Sequence, residues 1–182
     1  SIHSDAYIEK LKDKLSVKEI LKFADMLTEQ DGEKIFAMQV EANSAIAEEG
    51  LTGDYGARVG QTLLKSRGGK SVQARAVAKA AAGSDARMNG CIMPDVINSG
   101  SGNQGITVTV PVVEYVKDMG LSKDMLYKAL SISNLISIHI KHHIGKLSAF
   151  CGAVSASCGS GAAIAYLKGA DYNQICHTIS NT

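Results

Sequence analysis

The sequence predicts an all-α protein, and three observations carry that reading. Apolar residues recur at helical spacing, as in Val17, Ile20, Leu21, Ala24 and Leu27, which fall on one face of an α-helix. Ser16, Ser71 and Ser122 stand just ahead of such runs, where a short side-chain oxygen caps a first turn. No strand-then-helix rhythm repeats along the chain, and Gly, Ala and Ser crowd its second half, which lets helix backbones approach closely. The expected architecture is a compact multi-helix domain with a glycine-rich loop at a helix N-terminus.

Taken in order, Asp5 to Leu15 reads as a short polar helix, and Ser16 caps a second, with Glu19 placed for a capping box. A third helix opens at Asp31-Gly-Glu-Lys and ends at Gly50. Ile35, Met38, Ala42, Ala45 and Ile46 form its core stripe, and Glu41, Glu48 and Glu49 its solvated side. A glycine-punctuated fourth segment runs from Thr52 through Val59, Leu63 and Leu64 to a turn at Arg67-Gly-Gly69. Ser71 then caps an alanine-rich helix, Val72 to Ala82, with Gly83 after it.

Ile106 to Val113 alternates Thr and Val, which locally favours a strand. The apolar register into Tyr115 and Met119 gives a helix instead, with Pro111 at a kink or among its first turns. Ser122 caps the next helix, sustained by Leu126, Leu130, Ser133, Ile136 and Ile140 and ended by Gly145. The last long helix is Leu147 to Lys168, and a final segment, Asp171 to Ile179, stops mid-pattern.

A length of 182 residues fits one domain spanning 1–182. The net charge of +1, with both signs interspersed, argues against nucleic acid and against an anionic membrane surface as partners. No apolar run reaches membrane-spanning length and no N-terminal signal is visible, so the expected compartment is the cytoplasm. Cys91, Cys151, Cys158 and Cys176 include no C-x-x-C pair, and on spacing alone they read as buried, reduced thiols.

The stretch with the most chemical content is Asn98-Ser-Gly-Ser-Gly-Asn-Gln-Gly105. Gly100, Gly102 and Gly105 let backbone N–H groups crowd a ligand, and a following helix aims its positive end at the same point. Asn98, Ser99, Ser101, Asn103 and Gln104 add short groups that donate and accept, so a carboxylate or a phosphate fits. These glycines also spell G-x-G-x-x-G, but Pro94 and Gly90 spoil the preceding strand that a dinucleotide fold requires. A tight loop between packed helices is the plainer reading. Arg87 is placed either to clamp a carboxylate or to form an internal salt bridge. His139, Lys141, His142 and His143 end their helix as basic residues that complement its dipole, with no H-E-x-x-H pattern for a metal.

Three stretches, Asp85-Ala-Arg-Met, Met93 to Ile106 and Gly145-Lys-Leu-Ser-Ala-Phe-Cys-Gly-Ala-Val154, resemble the L-cysteine desulfidase branch of the bacterial L-serine dehydratase alpha-chain family. The resemblance runs from about Ala42 to the end. It implies an all-helical lyase that eliminates sulfide or water from L-cysteine or L-serine, giving pyruvate and ammonia. The implied cofactor is a [4Fe-4S] cluster with one iron open as a Lewis acid, without pyridoxal phosphate. Cys151 matches the family's cluster ligand, Asn98 to Gln104 match its substrate loop, and Lys141 and His143 are candidates for the base.

The family's other cluster cysteines, in an N-terminal Cys-Thr-Glu-Pro stretch and a downstream Cys-Asp-Gly-Ala-Lys stretch, have no match in this sequence. The expectation is therefore an interior fragment without a cluster and without activity alone. It would work with the remainder of its parent chain or a partner subunit, and its exposed faces would favour self-association. The alternative is a helical small-anion-binding or scaffold subunit without catalysis.

Overall fold

The computed structural model describes residues 2–145 and 149–182, with side chains from residue 7 onward. The described residues form nine helices and no strand: α1 (Ile2–Lys12), α2 (Val17–Met26), α3 (Glu29–Thr52), α4 (Val59–Arg67), α5 (Val72–Met88), α6 (Gly102–Met119), α7 (Lys123–Ile144), α8 (Gly152–Leu167) and α9 (Tyr172–Ser180). The serine caps form, with Ser16, Ser71 and Ser122 accepting the N–H of Glu19, Ala74 and Met125, although at Ser16 only this half of the expected capping box with Glu19 is made. A reciprocal capping box forms at Asp171 and Gln174, opening α9.

α6 is the axis of the fold, packed against α3, α5, α7 and α8. It is buried on nearly all sides, with Ile106, Val108, Val110, Val112, Val113, Tyr115 and Val116 among its enclosed residues. Its Thr/Val alternation is absorbed as helix because α6 is enclosed on nearly all sides, and Thr107 and Thr109 satisfy their hydroxyls on Asn103 O and Gly105 O. Pro111 lies inside α6 rather than near its start. The larger apolar cluster joins α2, α7, α8, α9 and the far half of α6; a smaller one joins Ile46, Ala47, Ala86, Ile106 and Val110.

Three elements depart from the sequence reading. α5 does not stop at Gly83 but runs on to Met88, because Gly83 is the contact at which α5 meets α3 and α6. A β-carbon there would lie 3.1 Å from Ile106 Cγ2 and 3.3 Å from Ala47 Cα. α3 is turned by one residue, about 100° about its axis, from the expected face. Ile35 and Met38 are 56% and 73% exposed, whereas Phe36, Gln39 and Asn43 are buried; Ile46 is buried as expected. The physical reason is polar: Gln39 and Asn43 are drawn inward by buried hydrogen-bond partners, which hydrophobic spacing does not register. The final long helix begins at Gly152, after the expected Leu147, which lies outside the described residues.

Candidate functional site

The glycine-rich stretch folds as a two-residue hairpin turn ahead of α6. Asn98 and Ser101 exchange both backbone hydrogen bonds, N–H to O at 3.1 Å each way. Ser99 and Gly100 between them carry φ of +49° and +84°, the pair of left-handed conformations that a type I′ turn requires. Glycine takes such a φ freely; serine takes it at a cost, a form of strain that clusters at functional sites. Ser101 then caps α6 by accepting the N–H of Gln104.

Two helices hold this turn from behind. Asn98 Nδ2 donates to Asn134 Oδ1 at 3.0 Å, and Asn98 Oδ1 accepts from Ser137 Oγ at 3.0 Å and from Ser99 Oγ at 2.9 Å. Asn134 and Gln39 exchange amide hydrogen bonds at 3.0 Å each. Two residues earlier in the chain, Asn43 grips the main chain of Val96 from both sides, accepting its N–H at 2.8 Å and donating to its O at 3.0 Å. The backbone here is also pressed close to α6: a β-carbon on Gly105 would lie 1.9 Å from Val96 O.

In front of the turn lies a cavity of about 590 Å³ lined by Ser99, Gly100, Ile138, Lys141, His142 and Gly145, with Glu9 and Lys12 of α1 closing one side. α1 reaches this position through His142, whose Nε2 is 2.8 Å from Asp13 Oδ1 and whose Nδ1 is 3.3 Å from Glu9 Oε2. Lys141 therefore shares a cavity with the turn. His143 does not line it; it is exposed and lies edge-on to His139, with ring centroids 4.6 Å apart. Burial holds His139 below the ordinary imidazole value, helped by repulsion from His143 and His142.

Gly102, the first residue of α6, is covered by an ion pair. Arg87 Nε lies 3.3 Å from Asp95 Oδ1, and a β-carbon on Gly102 would fall 1.9 Å from Asp95 Oδ2 and 2.0 Å from Arg87 Nε. Arg87 thus reaches the α6 N-terminus already paired with Asp95, a residue that sequence reading passed over. On the other side of the same first turn, Gln104 lies against Gly152, the first residue of α8. Gln104 is 7% exposed, and its Oε1 has no hydrogen-bond partner; Asn103 Oδ1 and Ser155 Oγ are likewise buried and unpartnered. Two helix N-termini, each with a positive dipole end, thereby converge. Cys151 precedes α8, exposed, and no side chain caps that first turn.

A four-iron cluster takes at least three thiolates in ordinary ligation. Cys151 is the thiol at this convergence. Cys91 lies beside Tyr55, Cys176 beside Tyr172, and Cys158 is enclosed in α8, where burial pushes its thiol up. Among the described residues, no group of three or more His, Cys, Asp or Glu side chains gathers as metal ligands. The donor set of this chain by itself does not fit a four-iron cluster. No helix among the described residues is long and apolar enough to cross a membrane.

Asn43, Gln39, Asn134, Ser137 and Asp95 are the residues that sequence reading missed. For the four on helices the signal available was weak, polar residues one position away from an apolar helical stripe; Asp95 lies in the loop between α5 and α6 and carried none.

The comparisons with known proteins bear on the same segments. A UPF0597 protein of Desulfitobacterium hafniense (strain Y51) is 54% identical over 179 residues, covering 97% of this chain and 41% of that protein. A UPF0597 protein of Lachnoclostridium phytofermentans is 52% identical over 168 residues, covering 92% of this chain and 40% of that protein. One from Treponema denticola is 47% identical over 172 residues, with the same two coverages of 92% and 40%. The chain thus spans about two fifths of the length of these relatives. No solved structure matches. The family whose pattern matches is described as serine dehydratase alpha chain, and the match covers residues 8–182, so this chain belongs to the serine dehydratase alpha-chain family.

Proposed function

We propose that this chain forms the amino-acid-binding part of a cytoplasmic lyase that eliminates sulfide from L-cysteine or water from L-serine, giving pyruvate and ammonia. The observation that carries the reading is the contact of Gln104 with Gly152, which joins the small-residue turn to the Cys151 segment at two converging helix N-termini. That end of the molecule suits a carboxylate: helix N–H groups and positive dipole ends face it, and the buried polar atoms of Asn103 and Gln104 lack partners.

In the proposed reaction the substrate carboxylate sits at the α6 N-terminus beside Ser101 to Gln104, with Arg87 at its flank. Lys141, across the cavity from Ser99 and Gly100, takes the α-proton. The electron pair of the broken C–H bond forms the Cα–Cβ double bond as sulfide or hydroxide leaves Cβ, and the aminoacrylate tautomerises and hydrolyses to pyruvate and ammonia. Cys151 is the thiol this chain offers toward a [4Fe-4S] cluster in the intact protein, with the remaining ligands supplied from outside this chain. The chain alone is inactive on this reading, and no pyridoxal phosphate takes part.

The test is anaerobic reconstitution of the full-length protein, with iron content and pyruvate formation from L-cysteine and L-serine measured in wild type and Cys151→Ser. Loss of both iron and turnover in the variant supports the reading. Retention of both removes Cys151 from the ligand set; a wild type that binds small carboxylates but never forms pyruvate leaves an anion-binding subunit without catalysis.

A further inference from the structure

The turn that faces the cavity is held by an amide relay running from Gln39 on α3 through Asn134 on α7 to Asn98, and this relay has no direct part in the proposed elimination chemistry. Gln39 on α3 pairs reciprocally with Asn134 on α7, at 3.0 Å in both directions. Asn134 Nδ2 also donates to Leu130 O at 2.9 Å, while its Oδ1 accepts from Asn98 Nδ2 at 3.0 Å. Ser137, one turn further along α7, donates to Asn98 Oδ1 at 3.0 Å. Both ends of the Asn98 amide are therefore engaged, and every polar atom of the Asn134 side chain has a partner. Buried networks satisfied to this degree fix one geometry rather than several.

The other face of the relay is a surface groove. Gln39 and Asn134 form its floor among Phe23, Ile35, Val96 and Ile138. Asn134 is thus not packed in the deep core, and its hydrogen bonds reach the turn with only Asn98 between.

We propose that Asn134, backed by Gln39, is a positioning residue for the ligand-facing turn: it sets the orientation of Ser99 and Gly100 through Asn98 before any ligand arrives. Asn98 is then the anchor of the turn, and the groups left to meet a ligand are Ser99, the Gly100 backbone and the first turn of α6. The kinetic part of this proposal rests on the lyase reading above; the structural part does not.

The acceptor at position 134 is what Asn98 needs, and this separates positioning from general stability. Asn134→Asp keeps an acceptor for Asn98 and Gln39 but loses both donations and gains a charge, so its melting temperature falls. Asn134→Leu matches the shape without any polar atom and takes away the 3.0 Å side-chain acceptor of Asn98, leaving it the Asn134 main-chain O at 3.4 Å and the Ser137 hydroxyl. In the full-length protein, Asn134→Leu is expected to raise KM for the amino acid by about tenfold or more with kcat within about threefold, the signature of lost uniform binding. Asn134→Asp is expected to hold KM within about threefold of wild type despite its lower melting temperature.

Hydrogen exchange of the peptide spanning 96–104, followed by mass spectrometry in the same full-length proteins, gives the second measurement. Exchange is expected to quicken in Asn134→Leu by about tenfold and to stay near wild type in Asn134→Asp, while peptides from the far half of α6 do not change. Should Asn134→Leu fail to fold, Ser137→Ala, which removes the other anchor of Asn98, decides by the same exchange. If KM tracks melting temperature across the variants, or if exchange at 96–104 is unmoved, the proposal is overturned. If wild type forms no pyruvate while the exchange pattern holds, the lyase reading fails and the positioning role stands.

Discussion

The side-chain amide of Gln104 fills the space that a β-carbon on Gly152 would need, with Nε2 2.4 Å from that point. The first turns of α6 and α8 therefore meet with nothing between them, and a shift in one is felt by the other. Gly152→Ala should displace the end of a flexible side chain rather than a backbone, so its stability cost is small, about 1 kcal/mol. Turnover of the full-length protein should fall by about tenfold or more, since an ångström of misplacement at a reacting centre costs that much. Gly159→Ala is the contrast: its β-carbon would lie 2.2 Å from Ser133 O, which cannot yield, and about 3 kcal/mol of stability should be lost. Denaturant unfolding and steady-state rates on both variants check the pair; equal stability losses would mean that Gln104 is held rigidly.

Lys141 and His143 are two residues apart in sequence but face different surroundings. Lys141 lines the cavity with Ser99 and Gly100, while His143 is exposed against His139. On the proposed lyase reaction, with Lys141 as its base, Lys141→Met in the full-length protein should lower kcat by about a hundredfold or more, the usual range for a lost general base. His143→Ala should leave kcat within about threefold on the same reasoning. The reverse ranking would transfer the proton-abstracting role to the histidine.

Glu114 is buried on α6 and holds Lys79 Nζ at 2.8 Å and Arg75 Nε at 2.7 Å. Burial pushes its carboxyl up, but the hydrogen bonds from Lys79 and Arg75 outweigh this and leave it below the ordinary value of 4.5. A carboxylate lowered in the fold contributes stability that is complete above that ordinary value and is lost as pH falls through the folded one. Glu114→Gln should therefore flatten the acid limb of the melting-temperature profile below pH 4.5. At neutral pH it should cost about 2 kcal/mol, the scale of charged hydrogen bonds lost, because Arg75 and Lys79 keep Asp118 and Glu48 as partners. An acid limb unchanged in Glu114→Gln would place the sensitivity elsewhere.

His139 gives a second pH dependence nearer neutrality. Its pKa lies below the ordinary 6.5, first because of burial and then because of repulsion from His143 and His142. The unfolded chain takes up a proton that the folded one resists, so stability is full above 6.5 and declines as pH falls below it. His139→Phe should reduce that decline below pH 6.5. Because His139 Nδ1 is buried without a hydrogen-bond partner, the apolar ring should be tolerated at higher pH without loss. Melting curves across that range for both proteins are the measurement, and parallel curves would show that His139 does not titrate on unfolding.

Local chemistry was enough for the elements themselves. The caps at Ser16, Ser71 and Ser122 are visible in sequence because a cap is a bond between residues three apart, and the helical class follows from apolar spacing in the same way. The glycine-rich turn and the Cys151 segment were also legible as candidates, since their residue types and the family resemblance mark them without any coordinates. Tertiary structure decided which face of α3 is core: Ile35 and Met38 have the better hydrophobic credentials, yet Gln39 and Asn43 are inside because partners on α7, α6 and the Val96 main chain receive them. It also turned Gly83 from a helix stop into a contact, and it assigned Lys141 rather than His143 to the cavity wall. Such outcomes depend on bonds and close approaches between residues tens of positions apart, and the energies that fix them exist only when those residues meet.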